Sequence, residues 1–232
     1  KEDDNIPDET TICKFRNALI KNNLLESIFK EVKNSMIEKN LILNEGTLVD
    51  ATLIHSSEPK RKKDENGKTI SNKANDEDAS YTSKRGRKHH GYKIHIATDT
   101  NSIIKEVITT TAKTHDSTQF DELIKDETKA VFADSGYMSQ ERKRTLRSKG
   151  IFNGITERRV RGQSKLRTKQ SKNNTKFSKV RALVELPFAF IKKLMKYTET
   201  KYLGLHKNSQ HVFLIAAAYN LRRMPKLIQR YE

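Results

Sequence analysis

The chain has 232 residues, of which 46 are Lys or Arg and 29 are Asp or Glu, so its formal net charge at pH 7 is +17. Hydrophobic residues make up 34% of it, which is enough for one sizeable core and argues against wholesale disorder. No apolar run approaches the roughly 20 residues of a membrane-spanning helix, and nothing resembles a signal peptide. The single cysteine, Cys13, excludes a disulfide scaffold and predicts a reducing compartment such as the cytoplasm.

The positive charge is concentrated beyond the first 46 residues. Residues 1–46 carry seven basic and nine acidic side chains, so the remaining chain holds an excess of 19 positive charges. Its densest stretch, residues 158–181, contains no acidic residue. The predicted nucleic-acid contacts in this basic run are Arg158, Arg159, Arg161, Lys165, Arg167, Lys169, Lys172, Lys176 and Lys179. Such a run is typical of a polyanion-binding surface, although a solvated loop would have the same composition.

Two amphipathic helices are predicted between about Pro7 and Asn40, with a break at Asn22 and Asn23. The apolar residues expected to face the core at helical spacing are Ile12, Phe15, Leu19, Leu25, Phe29, Val32 and Met36. We interpret residues 1–44 as a helical appendage that packs on a domain formed by residues 45–232. A DNA-binding headpiece is the alternative. Because the first residue is Lys1 rather than Met, we expect a fragment of a longer protein.

The rest of the chain alternates strands and helices. Residues 48–54 predict a buried strand, residues 92–99 and 103–111 a hairpin, and the polar stretch 56–90 a long hairpin or loop. The later predictions are helices over 117–129, 139–148, 179–196 and 208–223, and strands over 130–133 and 151–155. This order predicts a mixed α/β fold. The chain has no Gly-rich phosphate loop, which argues against a nucleotide-binding domain.

Three carboxylates stand where a charge is costly or where sites in α/β sheets gather. Asp50 lies in the middle of the predicted buried strand, Asp134 directly follows the strand over 130–133, and Glu185 lies among apolar residues of a predicted helix. A basic protein that cuts DNA needs divalent cations, and these prefer such hard oxygen ligands. We therefore predict that these three residues are catalytic and bind metal.

Each of the three acids also has a structural alternative. Asp50 could pair with a basic residue, Asp134 could cap a turn, and Glu185 could form an exposed pair with Arg181. Two further acids, Asp99 and Asp116, are rival ligands that we interpret as a turn residue and a helix cap. The histidines at 89, 90 and 95 have no cysteine nearby, so we favour structural or phosphate-contacting roles over a zinc site.

Taken together, the segments that carry the three acids resemble a known family. The segments VDATLI, HGYKIHIATD, TAKTHDSTQF, FADSGY and RALVELPFAFIKK are similar to the blocks of bacterial DDE insertion-sequence transposases of the insertion-sequence-five group. Their order and spacing fit as well, with 84 residues from Asp50 to Asp134 and 51 from Asp134 to Glu185. The resemblance spans about Asp8 to Leu227. It implies an RNase H-like fold with the acids on the first strand, after the fourth strand and on a later helix.

The family's third block is Tyr, two residues, Arg, three residues, Glu, six residues, Lys. Arg181 and Lys192 occupy the Arg and Lys positions around Glu185, whereas the Tyr position is Ser178. The second block, Asp, any residue, Gly, Tyr, ends at Tyr137. The resemblance thus implies supporting roles for Arg181, Lys192 and Tyr137.

The same resemblance implies a function. The substrate would be double-stranded DNA, both transposon ends and target, held by a homo-oligomer in the bacterial nucleoid. The cofactor would be Mg²⁺, with Mn²⁺ as a substitute, and the reaction would be phosphodiester hydrolysis followed by strand transfer. A truncated, non-catalytic DNA-binding descendant is the main alternative. A nuclease with other substrates and a basic RNA-associated protein are further ones.

Overall fold

The computed structural model describes residues 6–58, 61–63, 65–66, 69–71, 76–84, 86–124, 128–159 and 162–231. The helices in these ranges are α1 (Glu9–Lys21), α2 (Leu24–Glu38), α3 (Phe120–Leu123), α4 (Gln140–Ser148), α5 (Thr168–Arg181), α6 (Glu185–Ala189) and α7 (Leu205–Tyr231). The strands are β1 (Thr47–His55), β2 (Arg61–Lys63), β3 (Thr69–Ser71), β4 (Ser80–Lys84), β5 (Arg87–Thr98), β6 (Ile104–Thr111), β7 (Ala130–Ala133) and β8 (Phe152–Asn153). Among these helices, none combines the length and apolarity that crossing a bilayer requires.

Six of the strands form one mixed sheet with β1 at its centre. β1 runs antiparallel to β5 on one side and parallel to β7 on the other. β4 and β6 both pair with β5, and β8 pairs with β7. Helices cover both faces of this sheet. This is the RNase H-like mixed α/β architecture that the sequence predicts.

The side chains of β1 alternate between two apolar layers. Leu48 packs in a core with Phe29 of α2 and Val212 of α7, whereas Val49 packs in a second core with Phe120 of α3. Because side chains alternate along a strand, Asp50 points to the same face of the sheet as Leu48. That face also carries α6, so the fold brings the first and third predicted acids to one side of the sheet.

The prediction of two N-terminal helices is confirmed, but the predicted packing of α1 is wrong. Ile12 and Phe15 are 55% and 65% exposed, and Cys13 is exposed as well. Only the C-terminal end of α1 packs against the rest of the protein. There Ile20 is buried, and the Arg16 guanidinium lies 5.0 Å from the centre of the Tyr202 ring. In α2, by contrast, Leu25, Phe29 and Met36 are buried as predicted.

Three predicted helices have other bounds in the structure. Residues 125–127 of the helix predicted over 117–129 lie outside the described residues; the part before them is a 3₁₀ turn followed by the single turn of α3, and its cap is His115 rather than Asp116. The helix predicted over 179–196 already begins at Thr168, so half of the basic run is helical rather than a loop. It continues through a 3₁₀ turn and α6 into a π-helical turn over Phe190–Leu194. The last helix extends to Tyr231.

Candidate active site

The pairing of β1 with β7 places two of the predicted acids side by side. These strands are parallel, and their last paired residues are Val49 and Ala133. The next residues along the two strands are Asp50 and Asp134. They lie at the carboxyl end of β7, where sites in such sheets form. Residues 84 positions apart in sequence thus meet because the strand register brings them together.

Asp134 is the N-cap of a short 3₁₀ turn. Its Oδ1 accepts a hydrogen bond of 2.8 Å from the Ser135 hydroxyl and one of 3.4 Å from the Gly136 amide. Burial raises the pKa of Asp134, but the Ser135 bond and the charge of Arg181 outweigh it and lower the pKa below its usual value. The carboxylate is therefore held ionised and in a fixed direction at the exposed end of the strand.

Asp50 is paired with Arg181, the last residue of α5. Arg181 Nη1 lies 2.5 Å from Asp50 Oδ2, and both side chains are mostly buried, with 25% and 18% of their surface exposed. Burial raises the pKa of Asp50, Arg181 lowers it, and the negative charges of Glu185 and Asp134 raise it again, so the pKa lies above its usual value. The three acids therefore share one electrostatic environment, with Arg181 inside it.

Glu185 is the first residue of α6 and stands one helical turn after Arg181. Its side chain is exposed. The alternative in which Glu185 pairs with Arg181 is not what the described residues show, because the guanidinium turns inward to Asp50. The helix end thus presents a cation toward the sheet and a carboxylate beside it.

Whether a divalent cation fits here is decided by the donors and by Arg181. Carboxylate oxygens are the ligands that Mg²⁺ prefers, and two of the acids already share one cation, since Arg181 lowers the pKa of both Asp50 and Asp134. The guanidinium therefore stands in for a metal charge, and the donor set fits. In the described ranges, however, no three His, Cys, Asp or Glu side chains converge closely enough to enclose an ion.

Comparison with protein families settles what kind of domain this is. Residues 43–221 match the model of the transposase DDE domain. The chain belongs to this family. The matched segment begins just before β1, ends within α7 and contains all three acids at the geometry described above.

In this transposase domain, Tyr137 lies behind the acids rather than among them. Its side chain is 2% exposed, and its ring packs against Phe120 at 5.9 Å between centroids. Burial raises the pKa of Tyr137, and the negative charges of Asp116, Asp50 and Asp134 add to the effect. The Tyr137 side chain is thus part of the buried interior beneath the acids. The Tyr137 backbone carbonyl accepts a hydrogen bond from Arg142.

Lys192 lies on the π-helical turn that follows α6. Burial lowers the pKa of Lys192, the charge of Lys84 lowers it further, and Glu185 opposes both. Single π-helical turns are frequent at functional sites because they shift the side chains that follow them. The transposase domain thus carries a partly buried lysine near its third acid, and Lys84 of β4 is a neighbour that the sequence did not indicate.

The basic run of the transposase domain divides into two groups. Arg161 lies outside the described residues; the other eight predicted contacts are all exposed. Four of them, at 169, 172, 176 and 179, form one outer stripe of α5, which we call the lysine stripe. The inner face of α5 carries Asn174, which brackets the backbone of Glu157, and Phe177, which packs on Phe132. The lysine stripe therefore faces away from the sheet.

One predicted DNA contact instead reaches the candidate site. Arg158 Nε donates a 3.1 Å hydrogen bond to the Ser135 hydroxyl, which in turn donates to Asp134. A second residue that the sequence did not assign, Arg142, donates to the carbonyl of Ser117 at 2.9 Å. Nothing in the local sequence signals either contact, since both join segments that are distant along the chain.

The rival acids have other partners in the structure. Asp99 is fully buried and accepts hydrogen bonds of 2.8 Å from the amides of Leu43 and Ile103, which makes it the turn residue that we predicted. Asp116 Oδ1 lies 2.8 Å from Lys93 Nζ. His95 is buried, its Nε2 lies 2.8 Å from a Thr hydroxyl, and burial lowers its pKa to about 4. These contacts favour structural roles.

Proposed function

We propose that this transposase domain cuts DNA at transposon ends and joins the freed ends to target DNA. The observation that carries the proposal is the junction of β1 and β7, where Asp50 and Asp134 stand side by side and share the charge of Arg181. Glu185, one turn beyond Arg181, completes the set. A core structure alone gives no reason to place two carboxylates side by side at the end of a sheet, with a third one helical turn beyond the cation that they share.

We propose Asp50, Asp134 and Glu185 as the residues that hold a divalent cation, Mg²⁺ or Mn²⁺. When bound, it would supply the charge that activates an oxygen nucleophile and stabilises the transferring phosphoryl group. Arg181 would leave Asp50 and contact phosphate near the scissile bond. Its long side chain reaches the site from a helix end, so this change needs rotamers rather than a refolded segment.

The DNA would be held by the lysine stripe of α5 and by the exposed basic residues before it. Phosphate neutralisation by such a surface gives affinity without sequence preference and makes that affinity strongly dependent on salt. The motif spacing supports placement in the insertion-sequence-five group. By the same resemblance we propose that the protein acts as a homo-oligomer that holds both transposon ends.

The experiment is a nicking assay on a supercoiled plasmid that carries the element's ends, with Mg²⁺ or Mn²⁺. Glu185→Gln should abolish metal-dependent nicking while DNA affinity stays within about twofold. The matched control is Glu141→Gln, because Glu141 is also an exposed Glu in the first turn of a helix. Equal nicking by both variants would refute the site. Salt-sensitive binding without any nicking by the unmodified chain would favour the non-catalytic DNA-binding descendant instead.

A further inference from the structure

Gly91 lies where the β4–β5 hairpin meets β1. β1 pairs with β5 only from Gly91 onward, whereas β4 pairs with the part of β5 that precedes it. Gly91 has a φ of 148°, and a Cβ atom there would lie 2.1 Å from the carbonyl oxygen of Ile54. Only glycine permits this close approach. The close approach of β5 to β1 at Gly91 therefore fixes the point where the pairing of β5 changes from β4 to β1.

A small polar cavity marks where the hairpin meets β1. Its volume is about 170 Å³, and its walls include Thr52 of β1, Thr82, Ser83 and Lys84 of β4, and Lys93 of β5. Three hydroxyls and the Lys84 ammonium group thus line the cavity two residues along the strand from Asp50, whereas Lys93 is paired there with Asp116, which also lines the cavity. Donors of this kind, in this number, suit an anion with several oxygens.

Lys84 also interacts electrostatically with a lysine of the π-helical turn that follows α6. Its charge acts on Lys192, which in turn feels the charge of Glu185. Neither lysine forms an ion pair with another described residue, and both belong to segments that the fold holds in place. Two ammonium groups repel each other, and a bound anion offsets this repulsion.

The basic surfaces flank the acids from two sides. In the order of the sheet, β4 and β5 lie on one side of β1, and β7 lies on the other. α5, with the lysine stripe, packs against β7 and β1. The tip of the hairpin adds Arg87 and Lys88, both exposed, so positive charge borders Asp50 on each side. A duplex that crosses the acids meets both surfaces.

We propose that the tip of the β4–β5 hairpin is a second DNA-binding surface, in which Lys84, at the wall of the polar cavity beside β1, binds a backbone phosphate. This inference rests on the proposed function, because it takes DNA as the ligand of the acidic site. It assigns a role to Lys84, Arg87 and Lys88, which lie in the polar stretch that the sequence predicts as a long hairpin or loop. The lysine stripe and the hairpin would then grip the duplex on either side of the scissile bond.

The test measures affinity for a fluorescent duplex that carries a transposon end, by anisotropy without divalent metal, over a range of salt concentrations. Lys84→Glu should weaken binding about tenfold at 0.1 M salt and reduce the magnitude of the salt slope by about one, the value for one lost phosphate contact. Lys226→Glu, at an exposed position of α7, makes the same charge change and should alter affinity less than twofold. Equal effects of both variants would overturn the proposal.

A cross-linking experiment keeps the test independent of any change at Lys84. Ser83→Cys is made in a Cys13→Ser background, which leaves one thiol because Cys13 is the sole cysteine. With a photoactivatable aryl azide on that thiol, we expect a covalent adduct with the duplex. The same label on a Ser148→Cys variant, at the end of α4, should give none. No adduct from position 83, in a chain that binds DNA, would overturn the hairpin surface alone; failure of the unmodified chain to bind DNA would overturn the proposed function.

Discussion

The guanidinium of Arg181 joins two parts of the protein that lie 131 residues apart in sequence. In its present position it offsets the charge of Asp50, which burial and two neighbouring acids would otherwise make costly. Both partners are mostly but not fully buried. Such a pair contributes more than an exposed salt bridge and less than a fully buried one.

Replacing Arg181 should therefore weaken the metal-free protein. We expect Arg181→Gln to lower the free energy of unfolding at pH 7.5 in EDTA by about 1–2 kcal/mol. Millimolar Mn²⁺ should stabilise this variant more than the unmodified chain, because the metal no longer competes with the guanidinium and binding adds stability. Urea denaturation with and without Mn²⁺ measures both effects. Lys179→Gln, on the outer face of the same helix, is the control, and an equal loss in both variants would contradict the role of the pair.

Asp99 predicts a pH dependence of stability. Burial raises its pKa to about 6, despite the hydrogen bonds from three backbone amides, whereas its usual value is 3.8. Because the folded state binds the proton more tightly, the contribution of Asp99 to stability is fully present below about pH 4 and is lost as the pH rises through 6. The loss amounts to about 3 kcal/mol.

The variant Asp99→Asn removes this titration. Urea denaturation at intervals between pH 4 and pH 7 should show that the unmodified chain loses stability relative to the variant as the pH rises. Parallel curves for the two proteins would show that Asp99 does not carry the shift.

At the scale of single residues, the sequence predicts which acids belong together but not what holds them. The strand context and spacing of Asp50 and Asp134 are local signals, and the structure places both at the junction of β1 and β7. The sequence placed Arg181 beside Glu185 but did not identify it as the partner of Asp50, and it did not predict the contact of Arg158 with Ser135, because both contacts join distant segments. A charge run reports that lysines and arginines are present; only the fold decides which of them turn inward.

At the scale of elements, α5 shows why a helix can escape prediction from its sequence. Its inner face packs through Gln170, Asn174 and Phe177, so the apolar repeat that usually signals a helix is missing. Side-chain amides take its place by bonding to Glu157. α1 shows the opposite error, since its apolar repeat is regular although most of that face stays exposed.

Two glycines of the β4–β5 hairpin should respond differently to substitution by alanine. Gly91→Ala should cost at least about 3 kcal/mol, because the added Cβ would collide with the backbone of β1. Gly86→Ala, at the tip of the same hairpin, has a φ of 76° but nothing within 4 Å of the new Cβ. It should cost only about 1 kcal/mol, from the backbone conformation alone. Urea denaturation of both variants checks the contrast, and similar losses would show that the close approach to β1 is not decisive.

At the scale of the whole molecule, the two ends of the chain close over one face of the sheet. α2 and α7 pack on each other and share a core with β1, β5 and β6. Asn220 of α7 is fully buried, and its side-chain amide exchanges two hydrogen bonds of 2.9 Å with the backbone of Ile104 in β6. The last helix thus continues the bonding of the sheet through a side chain.

Removing that link should loosen the molecule as a unit. Asn220→Ala leaves a backbone amide and a backbone carbonyl of β6 without partners in a dry core, so we expect a loss of about 2–4 kcal/mol. Gln229→Ala, at an exposed position of the same helix, should cost less than about 0.5 kcal/mol. A single unfolding transition for both, shifted only for Asn220→Ala, is the expected result. A normal midpoint for Asn220→Ala would show that α7 is held by apolar packing alone.

The mixed α/β fold, the order of its strands and the break between α1 and α2 were all predictable from the sequence. Periodicity and turn residues are local signals that predict which elements occur, although the bounds of three helices differ in the structure. The need for glycine at position 91 was not predictable, because its cause is the close approach of a strand more than 30 residues earlier in the chain. The electrostatic effect of Lys84 on Lys192 was not predictable either, because it joins segments that are distant along the chain.

The two faces of α5 have a consequence for how this segment can change. The lysine stripe and Arg181 point in different directions because the number of residues between them sets the angle between their side chains around the helix axis. Removing or adding one residue inside the helix would rotate everything on one side of the change by about 100°. The outer lysines tolerate exchange for arginine, but the length of the segment is fixed. In α5 the spacing between residues is therefore constrained more tightly than most of their identities.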